Sequence, residues 1–180
     1  LKYSLKGVKS GNETLDFTGA KGIFVSENGE MYISDTDNGR VLKTDLNGVL
    51  LKEFMVPDSA LIPEGFEFRP MKTAVDKREY VYILCDGSYY GAILYSPEDE
   101  FLGFYGSNTT GGGILQAFEI IFNKLFMTNS KLSKTESKLP FQITDLYMDS
   151  RNFVYTCTGR TETDTLQTGQ IRRFSPGGIM

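Results

Sequence analysis

Three segments of this chain write the same strand-and-turn pattern, and that repetition restricts the fold more than any single residue does. Residues 22–54, GIFVSENGEMYISDTDNGRVLKTDLNGVLLKEF, hold four short runs of alternating apolar residues separated by turn sequences. The turns are Glu27-Asn28-Gly29, Thr36-Asp37-Asn38-Gly39 and Leu46-Asn47-Gly48, and Asn-Gly pairs supply the positive φ angles that tight hairpins need. Sliding the chain along itself brings Val75 onto Val25 and Tyr82 onto Tyr32. A third copy places Met148 on Val75 and Tyr155 on Tyr82. Each copy opens on an apolar residue, then Asp or Ser, four further residues, an apolar residue and Tyr.

Repeated units of four antiparallel strands mark a propeller blade or a strand array. A sandwich also has short strands, but its strands need not recur as an in-register unit. Strands do not alternate with helices, which argues against a parallel α/β sheet. The expected fold is therefore all-β, a β-propeller fragment of about three to four four-stranded blades with one short helix inserted. Residues 1–17 are expected to end a preceding blade, 18–56 and 69–105 to form blades, and 141–180 to form an incomplete blade. Between them, residues 106–140 form an insertion. Its stretch 114–127 reads as a helix with Ile114, Phe118, Ile121 and Leu125 on one face. That helix is too short to cross a bilayer; it covers the core or offers a docking surface to a protein partner. A closed six-bladed ring needs about 250 residues at the usual blade size. The 180 residues here are thus expected either to belong to a longer chain or to self-associate through open blade edges. The start at Leu1, without a cleavable signal, fits a processed or excised segment.

Composition removes several chemistries. The chain has no histidine, so Ser-His-Asp triads, Cys-His pairs and His-ligated zinc or haem have no imidazole to use. A formal charge of −4 gives no broad field for phosphate backbones, and no nucleic-acid partner is expected. No apolar run is long enough for a membrane span. Cys85 and Cys157 lack CxxC spacing and read as buried small thiols, with a bridge between them left open.

In a four-stranded blade, the turn between strands two and three emerges at the same end as the link to the next blade. The Asp35–Arg40 turn, the Asp86–Gly91 turn, the insertion and the Thr158–Thr168 loop should therefore crowd one face. Asp35, Asp37, Arg40, Asp86, Tyr89 and Tyr90 are the candidate binding residues of that face. Asp35, Asp37 and Asn38 form an oxygen cluster that resembles the start of a calcium loop. However, Gly39 sits at the fifth position and no Glu closes the loop, so an Asx-type turn with an Asp35–Arg40 interaction competes with calcium. No other cofactor is expected, and no metal ligand is assigned. Tyr89 and Tyr90 either stack on a sugar or base or pack on neighbouring blades. Arg172 and Arg173, successive in a strand, point to opposite faces and make no single basic patch.

The first copy resembles an NHL repeat. Asp35, Asn38, Arg40, Val41, Asp45 and Gly48 stand at matching places, with Gly39 in place of the family's histidine. The second copy keeps Asp86 without the Asn-x-Arg segment, and the third keeps only the strand pattern. The resemblance implies a bacterial six-bladed, TolB-like propeller used as a binding platform, in an extracytoplasmic or envelope location. It implies a non-catalytic binding or sensing module for a protein or small ligand, and thus no enzyme. The alternative is part of a calcium-dependent, lactonase-like propeller hydrolase, in which inward-facing acidic and amide side chains hold the ion. The first strands of the copies offer Asp145 and little else for that.

Overall fold

The computed structural model describes residues 4–106, 142–159 and 169–175. The expected helix at 114–127 and the loop after Gly159 lie outside them. A two-stranded hairpin, β1 (Gly7–Ser10) and β2 (Glu13–Asp16), comes first. Then follow β3 (Ala20–Val25), β4 (Met31–Asp35), β5 (Arg40–Thr44) and β6 (Leu50–Phe54) as one antiparallel sheet. The second sheet holds β7 (Pro70–Val75), β8 (Val81–Cys85), β9 (Ala92–Tyr95) and β10 (Phe101–Tyr105). The third holds β11 (Ile143–Met148), β12 (Val154–Thr158) and β13 (Gln170–Phe174). In every sheet, sequential strands are neighbours, as short connections dictate.

The three larger sheets are copies in detail. Each carries a bulge at the start of its first strand pair: between Ala20 and Gly22, Pro70 and Lys72, and Ile143 and Asp145. A bulge sharpens local twist, so the same twist is imposed at the same place three times. First strands are innermost, with β3 against β7 and β7 against β11. This is a partial β-propeller.

Side chains in a strand alternate between faces, and here each face serves a different neighbour. Tyr32, Val41 and Phe54 of the first blade bury against Val81, Ile83, Tyr95 and Phe104 of the second. The second blade turns Ala74, Tyr82, Leu84 and Tyr105 the other way, against Leu146, Val154 and Phe174 of the third. Rings meet across both junctions, Phe54 with Tyr95 at 5.2 Å and Tyr105 with Phe174 at 5.6 Å between centroids. Such pairs add to the burial itself. The β1–β2 hairpin covers the first blade's remaining face, where Val8 packs with Met31, Ile33 and Leu42.

Close approach of the inner strands depends on Gly22. A Cβ built there would collide with the Met71 carbonyl oxygen, a backbone atom that cannot swing aside. Gly22→Ala is expected to lower stability by about 1–3 kcal/mol, as overpacking does, read from the urea midpoint.

Candidate functional site

On the face holding the turns between second and third strands, the candidate residues do come together, and most are occupied with one another. Asp35 is fully buried and accepts hydrogen bonds from the Thr18 N–H (2.7 Å), Asn38 Nδ2 (2.8 Å) and Arg40 Nε (2.9 Å). Arg40 donates further to Glu53 and to the Asp16 carbonyl. The pair thus clamps the single 3₁₀ turn at Thr36–Asn38. Asp37 instead pairs across the junction with Arg69 at 2.8 Å, and Asp86 with Lys21 at 3.6 Å. Arg69 joins the turns of both blades, because its carbonyl accepts the Asp86 N–H. Tyr90 is half-buried among the Phe66 and Phe104 rings; Tyr89 is half-buried as well.

Calcium does not fit these residues. The Asp35 carboxylate is spent on internal donors, Asp37 faces Arg69, and Asp145 pairs with Lys72 at 3.5 Å. Among the described residues, no group of three or more acidic, Cys or His side chains is arranged to hold a metal ion.

The opposite face carries a concavity. A cavity of about 230 Å³ lies where the turns after β3, β7 and β11 converge, over a floor of Phe24, Val25, Val75 and Met148. The repeated Asp/Ser…Tyr signature builds its rim. Asp76 Oδ1 accepts the N–H groups of Arg78 and Tyr80, while Oδ2 accepts Arg78 and the Tyr82 hydroxyl. Asp149 repeats the arrangement with Arg151, Phe153 and Tyr155. In the first blade, Ser26 Oγ accepts the Glu30 N–H, and Glu30 takes over the contact with the Tyr32 hydroxyl. The Tyr six residues on is therefore the far end of one hydrogen-bonded turn. These turns carry their positive φ at one residue only. Each closes an i to i+3 bond, and only its last residue is left-handed: Gly29, Glu79 or Asn152. A side-chain acceptor at the first position holds the rest right-handed, so Asn28 never needs a positive φ.

The rim is tied from blade to blade. Asn28 Nδ2 donates to Glu79 Oε1 at 2.9 Å, and the Lys77 N–H donates to Asn152 Oδ1 at 3.3 Å. Lys77 also pairs with Glu27. The candidate residues Asp35, Asp37, Arg40, Asp86, Tyr89 and Tyr90 lie on the other face, and the Asp/Ser…Tyr spacing read as a strand pattern. Its period of six, which returns Tyr to the face of the Asp across a turn, was the available signal.

Comparison with known proteins adds the fold and little else. No family model and no curated protein matches the chain, and the NHL resemblance gains no support there. Among solved structures, the chain is similar to a luciferin-regenerating enzyme, at 13% identity and a TM-score of 0.53, over 92% of this chain and 47% of that one. It is similar to a protein of unknown function from Bacteroides caccae, at 13% identity and a TM-score of 0.50, over 87% and 45%. A virginiamycin B lyase from Staphylococcus aureus follows at 13% identity and a TM-score of 0.46, over 88% and 41%. The chain spans less than half the length of each.

The chain has the fold of a partial β-propeller. The expectation that it is not an enzyme is corrected: a solved neighbour of this fold, the luciferin-regenerating enzyme, is an enzyme. Lack of histidine and of a familiar motif removes particular mechanisms, and a fold that hosts many activities leaves the others open. At this identity the likeness carries the fold and no reaction. Among the described residues, no helix is long and apolar enough to cross a membrane.

Three outcomes follow from the site's geometry. Asp76→Ala leaves the Arg78 and Tyr80 N–H groups and the Tyr82 hydroxyl without their acceptor, and should cost about 1–3 kcal/mol in urea unfolding. Burial pushes the Asp149 carboxyl up. The Phe153 and Arg151 N–H groups and the Arg151 guanidinium outweigh that and hold it below the ordinary carboxylate value. The unfolded chain therefore takes up that proton first, so this contribution is complete above pH ~3.9 and fades as pH falls toward the lower folded value. Urea midpoints measured through that acid window should drop, and Asp149→Asn should flatten the drop. Burial also pushes the Cys85 thiol up to about 12, and both cysteines are free. In the native chain a thiol reagent at pH 8 should modify half-buried Cys157 and leave Cys85 intact, as mass mapping would show.

Proposed function

We propose that this chain is a ligand-binding sector of a β-propeller, which holds a small ligand in the hollow where the inner-strand turns of three blades meet. The observation that carries this is that one cavity draws its lining from all three blades. A ligand there would touch each blade and be sensitive to their relative placement. Its apolar floor suits an apolar body. The rim of Glu27, Glu30, Glu79, Asn28, Asn152 and Lys77 is already cross-linked, and the second lone pairs and oxygens of its carboxylates suit hydrogen-bond donors such as an amine or hydroxyl. At about 230 Å³, the hollow lies below the ~300–1,000 Å³ of drug-sized sites, so the ligand is small. On this reading the ligand lies opposite Asp37 and Asp86, whose ion pairs serve the blade junctions.

Titration of the ¹⁵N-labelled chain with glycerol, a monosaccharide and n-butylamine tests the proposal. At least one probe should shift the amides of Ser26–Glu30, Asp76–Glu79 and Asp149–Asn152 together. Glu79→Gly, which suits the left-handed φ of 68° there, should abolish that response while the chain stays folded. Shifts confined to Asp37, Arg69 and Asp86, or no saturable response to any probe, would overturn it.

A further inference from the structure

The carboxylates that line the three-blade hollow are balanced by cations, with one exception. Glu27 pairs with Lys77 at 3.6 Å, Glu30 with Lys43 at 2.9 Å, Asp76 with Arg78 at 2.8 Å and Asp149 with Arg151 at 3.3 Å. Glu79 faces a neutral donor instead. Asn28 Nδ2 reaches its Oε1 at 2.9 Å, and among the described residues no cation pairs with it. The hollow therefore carries one uncompensated negative charge, on the middle of its three blades. The backbone singles out the same residue. Glu79 has a φ of 68°, at the turn position that Gly29 and Asn152 fill in the neighbouring blades. Glycine and asparagine adopt that left-handed conformation more readily than glutamate does. The middle blade thus holds a carboxylate at the rim where an easier residue would close the turn.

We propose that the ligand of this hollow is a protonated amine on a short apolar body, and that Glu79 is the residue that selects it. The inference rests on the reading of the hollow as a ligand site and names the charge of the ligand. The ammonium group donates to the Glu79 oxygen that Asn28 leaves open. Its carbon chain lies on Phe24, Val25, Val75 and Met148. A charge-assisted hydrogen bond is stronger than its neutral counterpart, so an amine is favoured over an alcohol of the same shape. An anion would meet the Glu79 charge, and would have to take Lys77, the one cation among the described lining residues, from Glu27. The other carboxylates discriminate little, because each already has its own cation.

Titration of the ¹⁵N-labelled chain with n-butylamine, n-butanol and butyrate, at pH 7 and low salt, tests it. The amine should give saturable shifts at Ser26–Glu30, Asp76–Glu79 and Asp149–Asn152, with a Kd about five- to tenfold below that of the alcohol. Butyrate should give none. Sodium chloride at about 0.5 M should weaken the amine and leave the alcohol unchanged. Glu79→Gln keeps the length of the side chain and an oxygen for Asn28 but removes the charge. It should bring the amine to the affinity of the alcohol without moving the alcohol, in a spectrum otherwise that of the native chain. Equal affinity of amine and alcohol, tighter binding of the alcohol or of butyrate, or an amine preference that survives Glu79→Gln would overturn this inference and leave the hollow standing as a ligand site. Silence of these amides toward all the probes would overturn the inference and the reading beneath it together.

Discussion

Burial of one sheet face against the next is the constraint on which the rest of this structure depends. A four-stranded antiparallel sheet presents two faces, and a short apolar strand with its period of two serves both only if each face has a neighbour. β4 and β8 are buried along their whole length for this reason. Tyr32 and Tyr82 show the effect most sharply. Burial raises the Tyr32 phenol to about 12 and the Tyr82 phenol further, yet each hydroxyl still reaches a carboxylate at the rim of its blade. One side chain thus fills the junction with its ring and fastens a turn with its oxygen.

Polar contacts have a second task, which is to set the angle between blades. The ion pairs Lys21–Asp86, Arg69–Asp37 and Lys72–Asp145 cross junctions on one face; the Asn28–Glu79 and Lys77–Asn152 hydrogen bonds cross them on the other. Individually such exposed pairs contribute little, about 0–1 kcal/mol. Their value lies in direction, because a hydrogen bond weakens steeply once its angle departs from linear. Asp35 and Arg40 work differently, inside one blade, where the buried pair is satisfied by additional donors and fixes the exit of β4.

Much of the fold was legible in the sequence. The alternation of apolar residues and the overlay of Val25, Val75 and Met148 are direct records of a repeating sheet, so the strands and their order could be read from it. The site was less legible. Asp37, Arg40 and Asp86 were read by residue type, and type does not reveal that each is taken by a partner in a neighbouring strand or blade. The cavity was invisible because it is a property of three turns far apart in the chain. Glu79 and Asn152 give no hint, taken alone, that they share a left-handed turn position with Gly29. Absence of histidine was a true constraint on mechanism and a poor guide to whether the protein catalyses anything.

Nuclear Overhauser contacts between aromatic rings of successive blades measure the stacked arrangement most directly. The account predicts cross-peaks from Phe54 to Tyr95 and from Tyr105 to Phe174, whose ring centroids lie 5.2 and 5.6 Å apart. Sheets that keep their internal strand pairing while both sets of cross-peaks are missing would contradict it, since the blades would then not rest on one another.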